Sequence, residues 1–74
     1  MTLKQLKDRI NVRVCLRGRF NYEVRYKGKS FTLVSNDTPA YDVIRSGEPD
    51  DNYTLRQAYQ ALWDEAKAQI NKRY

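Results

Sequence analysis

Apolar residues alternate with polar ones through the middle of this chain and recur at three- and four-residue spacing towards both ends. Leu3, Leu6 and Ile10 form the first helical stripe. Thr2-Leu3-Lys4-Gln5 ahead of it reads as a capping box, with the Thr hydroxyl on the Gln5 amide and the Gln5 side chain reaching back. Lys4, Lys7 and Asp8 fall on the outward side. From Asn11 the period changes to two. Val12, Val14 and Leu16 then alternate with Arg13, Cys15 and Arg17, the pattern of a strand with one face buried. Arg17-Gly18-Arg19 supplies a turn. The next strand puts Phe20, Tyr22, Val24 and Tyr26 on one face and Asn21, Glu23, Arg25 and Lys27 on the other. Lys27-Gly28 is a two-residue hairpin turn with glycine where positive φ is needed. Ser30 to Val34 makes the third strand, Phe31 and Leu33 inward and Thr32 outward.

Asn36-Asp37-Thr38-Pro39 reads as a helix start, a capping residue followed by proline at the first helical position. Ala40 to Arg45 continues that helix, which Gly47 ends. Glu48-Pro49-Asp50-Asp51-Asn52 is an acidic, turn-rich loop. Thr54-Leu55-Arg56-Gln57 is a second capping box and opens the longest helix, running to about Lys72. Leu55, Tyr59, Leu62, Ala66 and Ile70 form a stripe that needs a sheet to cover it, with Trp63 at its edge. The expectation is an α+β fold in the order α-β-β-β-α-α, a three-stranded antiparallel meander with the helices packed on one face.

Composition narrows the chemistry. Seventy-four residues supply one thin core, so residues 1–74 are expected to form a single small domain. Cys15 is the only cysteine and histidine is absent, which removes an intrachain disulfide and the usual ligands of a structural zinc. No apolar run approaches the roughly 20 residues of a membrane span. The segment Thr2 to Ile10 is charged and unlike a signal peptide, so a cytoplasmic protein is expected. Without histidine the commonest catalytic base is missing. Cys15 flanked by Arg13 and Arg17 is a weak candidate for an activated thiol. Asp50-Asp51 and Asp64-Glu65 are sequence neighbours rather than carboxylates facing across a cleft, and no glycine-rich phosphate loop exists. The sequence therefore points to a binding module, not an enzyme, with no cofactor and no metal.

Charge says where the binding would be. Residues 1–36 carry nine Lys or Arg against Asp8 and Glu23, whereas residues 37–74 carry five against seven acids. The excess falls on the predicted outer face of the sheet: Arg13, Arg17, Asn21, Arg25, Lys27 and Thr32, with Arg19 and Lys29 at the turns. Arg and Asn on a sheet reach base edges in a major groove, and cations at hairpin tips reach phosphates. Glu23 either accepts from a cytosine amino group or pairs with Arg13 or Arg25 across the strands. Tyr22, Tyr26 and Phe31 alternate out of phase with the cations, so stacking of single-stranded bases is not expected on the charged face.

The run from Gly18 to Leu33, with its alternating aromatic and basic strand and its tight Lys-Gly turn, resembles the three-stranded sheets of two DNA-binding families. These are the arm-type domains of phage and transposon integrases and the plant ethylene-response-factor type. The resemblance implies base contacts by Arg13, Arg17, Arg25 and Thr32 and backbone contacts by Arg19 and Lys29, with duplex DNA as the partner and RNA the other choice. The first helix and the stretch Asp37 to Tyr53 depart from that pattern. The first resemblance implies a phage or mobile-element accessory protein. The element order is also similar to small phage anti-CRISPR proteins, and this implies a different class: a small phage-type inhibitor that binds a host defence protein or its nucleoprotein complex. Its candidate anchors are Tyr41, Tyr53, Trp63 and Tyr74. Double-stranded-RNA-binding domains share part of the order, but their last helix opens with a lysine cluster, where this one has Arg56 alone.

Overall fold

The computed structural model describes residues 1–16 and 18–73, and their side chains except at 14–16. Arg17 and Tyr74, both named above as candidates, lie outside the described residues, as does any side-chain role for Cys15. The element order is α1 (Leu3–Arg9), β1 (Ile10–Leu16), β2 (Arg19–Tyr26), β3 (Lys29–Ser35), α2 (Thr38–Ser46) and α3 (Leu55–Arg73). The strands form one antiparallel sheet in the order β1-β2-β3. The fold is thus the expected α+β meander with helices on one face.

Each helix starts where its side chains satisfy the first free amides. At α1 the Gln5 amide donates to Thr2 Oγ1 and the Thr2 amide to Gln5 Oε1, at 3.3 and 2.9 Å. At α3 the same exchange joins Thr54 and Gln57. Asp37 caps α2 by accepting from the Ala40 amide, and Gly47 at φ +75° closes it in the left-handed region. Asp50 organises the acidic loop, its Oδ1 accepting from the Asn52 and Tyr53 amides at 2.7 Å each.

Core packing follows the strand alternation. Phe20, Tyr22 and Val24 are buried, joined by Leu33, Leu6 and Ile10, and α3 covers them with Leu62, Trp63, Ala66 and Ile70. A smaller cluster of Ala40, Val43 and Ala58 joins α2 to α3. The Tyr22 hydroxyl donates to Glu65 Oε2 at 3.2 Å, which gives the buried phenol a partner on α3. Burial, then the adjacent Glu65 charge and this hydrogen bond, pushes the Tyr22 pKa well above its ordinary value.

Two expectations change. Strict alternation does not hold along β1: Val12 pairs with Tyr22 and Cys15 with Phe20, so the register shifts between them. An extra residue in one strand of a pair gives this kind of shift, and the sequence of one strand alone does not reveal it. Trp63, expected at the edge of the stripe, is only 5% exposed. It packs edge-on to Tyr26 at a centroid distance of 5.6 Å.

Candidate nucleic-acid interface

The face of the sheet opposite the helices is built by register. Asn11 pairs with Glu23 and Glu23 with Thr32, while Asn21 pairs with Val34 and Arg25 with Ser30. Partners across antiparallel strands project to the same side, so these residues, with Arg13 and Arg19, share one face. All are exposed except Glu23, which is half-buried. Along β2 the outward positions Arg19, Asn21, Glu23 and Arg25 follow one another at roughly 7 Å, two residues of strand rise.

Five expected site residues are therefore brought together: Arg13, Arg19, Asn21, Arg25 and Thr32. Lys27 and Lys29 are not on that face. Lys27 sits in the turn at φ +53°, and its Nζ lies 5.2 Å from the Tyr26 ring centre. Lys29 pairs with Tyr26, whose phase is that of the core. It lines a cleft on the helix side with Tyr26, Phe31 and Ile70. The pleat accounts for this: Lys29 is an even number of positions from Phe31 and Leu33, so it leaves the sheet on their side.

Glu23 does not stand free in the middle of the face. Arg13 donates from an Nη to Glu23 Oε1 at 2.6 Å, with both side chains largely in solvent, 57% and 40% exposed. Of the two pairings open to Glu23, the structure has the one with Arg13. Arg13 lies one pleat beyond Asn11, the direct partner of Glu23, so the contact is a diagonal one. Arg19 and Arg25 keep their charge without a carboxylate: among the described residues the ion pairs are Arg13–Glu23 and Lys67–Asp64.

Val34 was not among the sequence candidates. It is 49% exposed on the open face beside Asn21. Alternation already put it out of phase with Leu33, and it offers an apolar contact of the kind a thymine methyl takes.

The alternative anchors fare differently. Trp63 belongs to the core, so it is not a surface anchor. Tyr41 is half-buried, its ring 5.0 Å from that of Phe20. Tyr53 is half-buried too, and its hydroxyl donates to Asp37 Oδ2 at 3.0 Å. That hydrogen bond, with the Asp37 charge behind it, raises the Tyr53 pKa.

Among the described residues no group of three or more Cys, Asp or Glu is placed to hold a metal ion, and no helix is long and apolar enough to cross a membrane. Compared with known proteins, the chain matches no family model, no curated protein and no solved structure.

Proposed function

We propose that this chain is a non-enzymatic module that holds duplex nucleic acid, DNA foremost, against the open face of its sheet. The observation that carries the reading is the sorting of β2, whose one side is sealed by helices while the other presents Arg19, Asn21 and Arg25 to solvent. Strands about 4.8 Å apart make a three-stranded sheet roughly 10 Å from first axis to last, commensurate with a major groove about 12 Å wide. Among the described residues Arg19 and Arg25 have no carboxylate within 4 Å, so phosphate oxygens or base edges are their available acceptors. The Arg13–Glu23 pair cancels one charge of each sign, leaving a face that is cationic without being uniformly so.

The test is fluorescence anisotropy of a labelled DNA duplex, and of the matched RNA duplex, at two salt concentrations. Submicromolar binding at low salt that weakens steeply with added salt supports the reading, because neutralising phosphates releases counterions. The nucleic acid bound more tightly is the partner. Binding to neither sinks the reading and brings forward the inhibitor of a host defence protein, whose interface would rest on apolar anchors. Burial of Trp63 weighs against that second class.

A further inference from the structure

Around the hairpin end of the sheet, cations from three segments face the same space. One cleft of about 320 Å³ has Lys7, Arg9 and Arg25 in its wall, with Asn11 and Ser30 as neutral donors. A second, of about 380 Å³, adds Lys27 and Gly28 and shares Asp8, Arg9 and Arg25 with the first. Two acids border this space. Glu23 is engaged by Arg13, which leaves Asp8 as the remaining negative charge against four cations. None of the four has a carboxylate within 4 Å among the described residues.

Two of the cations are held in place by rings. The Arg9 guanidinium lies 5.7 Å from the Trp63 ring centre, and Lys27 sits over Tyr26, which itself packs on Trp63. A cation already seated on an aromatic face has less side-chain freedom to lose when it meets an anion. Lys7 and Arg9 also close the last turn of α1, where cations complement the helix dipole. That accounts for those two, but not for Arg25 and Lys27, which come from β2 and its turn and have no carboxylate within 4 Å among the described residues.

We infer that these adjoining clefts form a phosphate site, which takes the duplex backbone where it leaves the open face of the sheet. The inference rests on the duplex-binding reading. Continuity favours a backbone over a free anion: Arg25 belongs both to the open face and to the walls of both clefts. The two clefts adjoin through their shared Asp8, Arg9 and Arg25, and their polar lining is exposed apart from the half-buried Glu23.

The experiment measures the slope of log affinity against log salt for a labelled DNA duplex with the wild-type chain, Lys7→Gln, and Lys7→Gln/Arg9→Gln. Each lost phosphate contact should reduce the slope by about 1, so the double variant should lose about 2. Lys7→Gln alone removes no ring contact, so it keeps the test valid if the double variant fails to fold. Lys67→Gln, which removes an equal charge beside Asp64 on α3, should leave the slope alone. Steep wild-type binding with an unchanged slope in Lys7→Gln would overturn the phosphate site while leaving the sheet-face reading intact. Absence of wild-type binding would remove both. Saturable binding of inorganic phosphate by the protein without DNA, followed through the backbone amide signals of Lys7 to Asn11, would make this a free-anion site and overturn the backbone assignment.

Discussion

The two sides of β2 meet different surroundings, the core on one and solvent on the other. Phe20, Tyr22 and Val24 are at most 1% exposed, whereas Asn21 and Arg25, one residue away along the chain, are open to water. One side is closed by α3, where Glu65 meets the Tyr22 hydroxyl. The other is open to solvent, and among the described residues its Arg19 and Arg25 have no ion-pair partner. Folding and binding are thus written on alternate residues of a single strand, and substitutions should separate them cleanly.

The largest effect should come from the closed side. Phe20→Ala removes a fully buried ring that also stacks on Tyr41. It should destabilise the fold by about 3–5 kcal/mol, enough to unfold many domains of this size. Chemical denaturation followed by circular dichroism reads it. Duplex binding should vanish with the fold.

On the open side, Arg19→Ala/Arg25→Ala should weaken duplex binding by at least tenfold, at about 1–3 kcal/mol for each arginine that meets a base. The melting temperature should stay within a few degrees of wild type, since both side chains are exposed and neither has an ion pair among the described residues. A large loss of stability in this variant would break the comparison, because it would mean that the open face also supports the fold.

Tyr22→Phe probes the polar contact of the closed side. Loss of the Glu65 hydrogen bond should cost about 1 kcal/mol at neutral pH. The Tyr22 pKa is raised in the folded protein, so the unfolded chain gives up its phenol proton first. Stability from this group is therefore complete below pH of about 10, the ordinary tyrosine value, and is lost as pH rises beyond it. The gap between wild type and Tyr22→Phe should accordingly narrow above that pH. A gap that stays constant up to strongly alkaline pH would remove Tyr22 as the cause.

The smallest effect sharpens the comparison in the other direction. Glu23→Gln removes a negative charge from the open face and releases Arg13. Duplex affinity should rise severalfold at low salt, with stability changed by less than about 1 kcal/mol, as for an exposed ion pair. A fall in affinity would instead make Glu23 a direct reader, accepting from a cytosine amino group.

Much of this arrangement was legible in the residues because the signals are local. Both Thr-x-x-Gln boxes and the Lys27-Gly28 turn act within four residues and formed as read, and the α2 start fell where expected, with Asp37 as its cap and Pro39 second rather than first in the helix. Strand parity alone separated Phe20, Tyr22 and Val24 from Asn21 and Arg25. What escaped depends on partners far along the chain. The register shift between Val12 and Cys15 is a property of β1 against β2. Trp63 is drawn into the core by Tyr26, thirty-seven positions earlier. Lys7 read as part of the outward side of a helix, and Arg9 was not singled out. Their company with Arg25 and Lys27 arises because β1 begins at Ile10, directly opposite Val24, and sets the end of α1 beside the hairpin. Lys27 was expected on the outer face, but strand parity carries only as far as Tyr26, where β2 ends, and Lys27 is already in the turn.

That turn holds a lysine in a left-handed conformation, φ +53°, where asparagine or glycine would be more at ease. Lys27→Asn would relax the backbone and at the same time strip a cation from the tip of the hairpin. A search for more thermostable variants should select this change readily, and those variants would be poorer ligands for anything polyanionic. Persistence of lysine in descendants evolved under selection for binding, and its replacement in those evolved for heat resistance alone, would be the mark of two demands in conflict at one position.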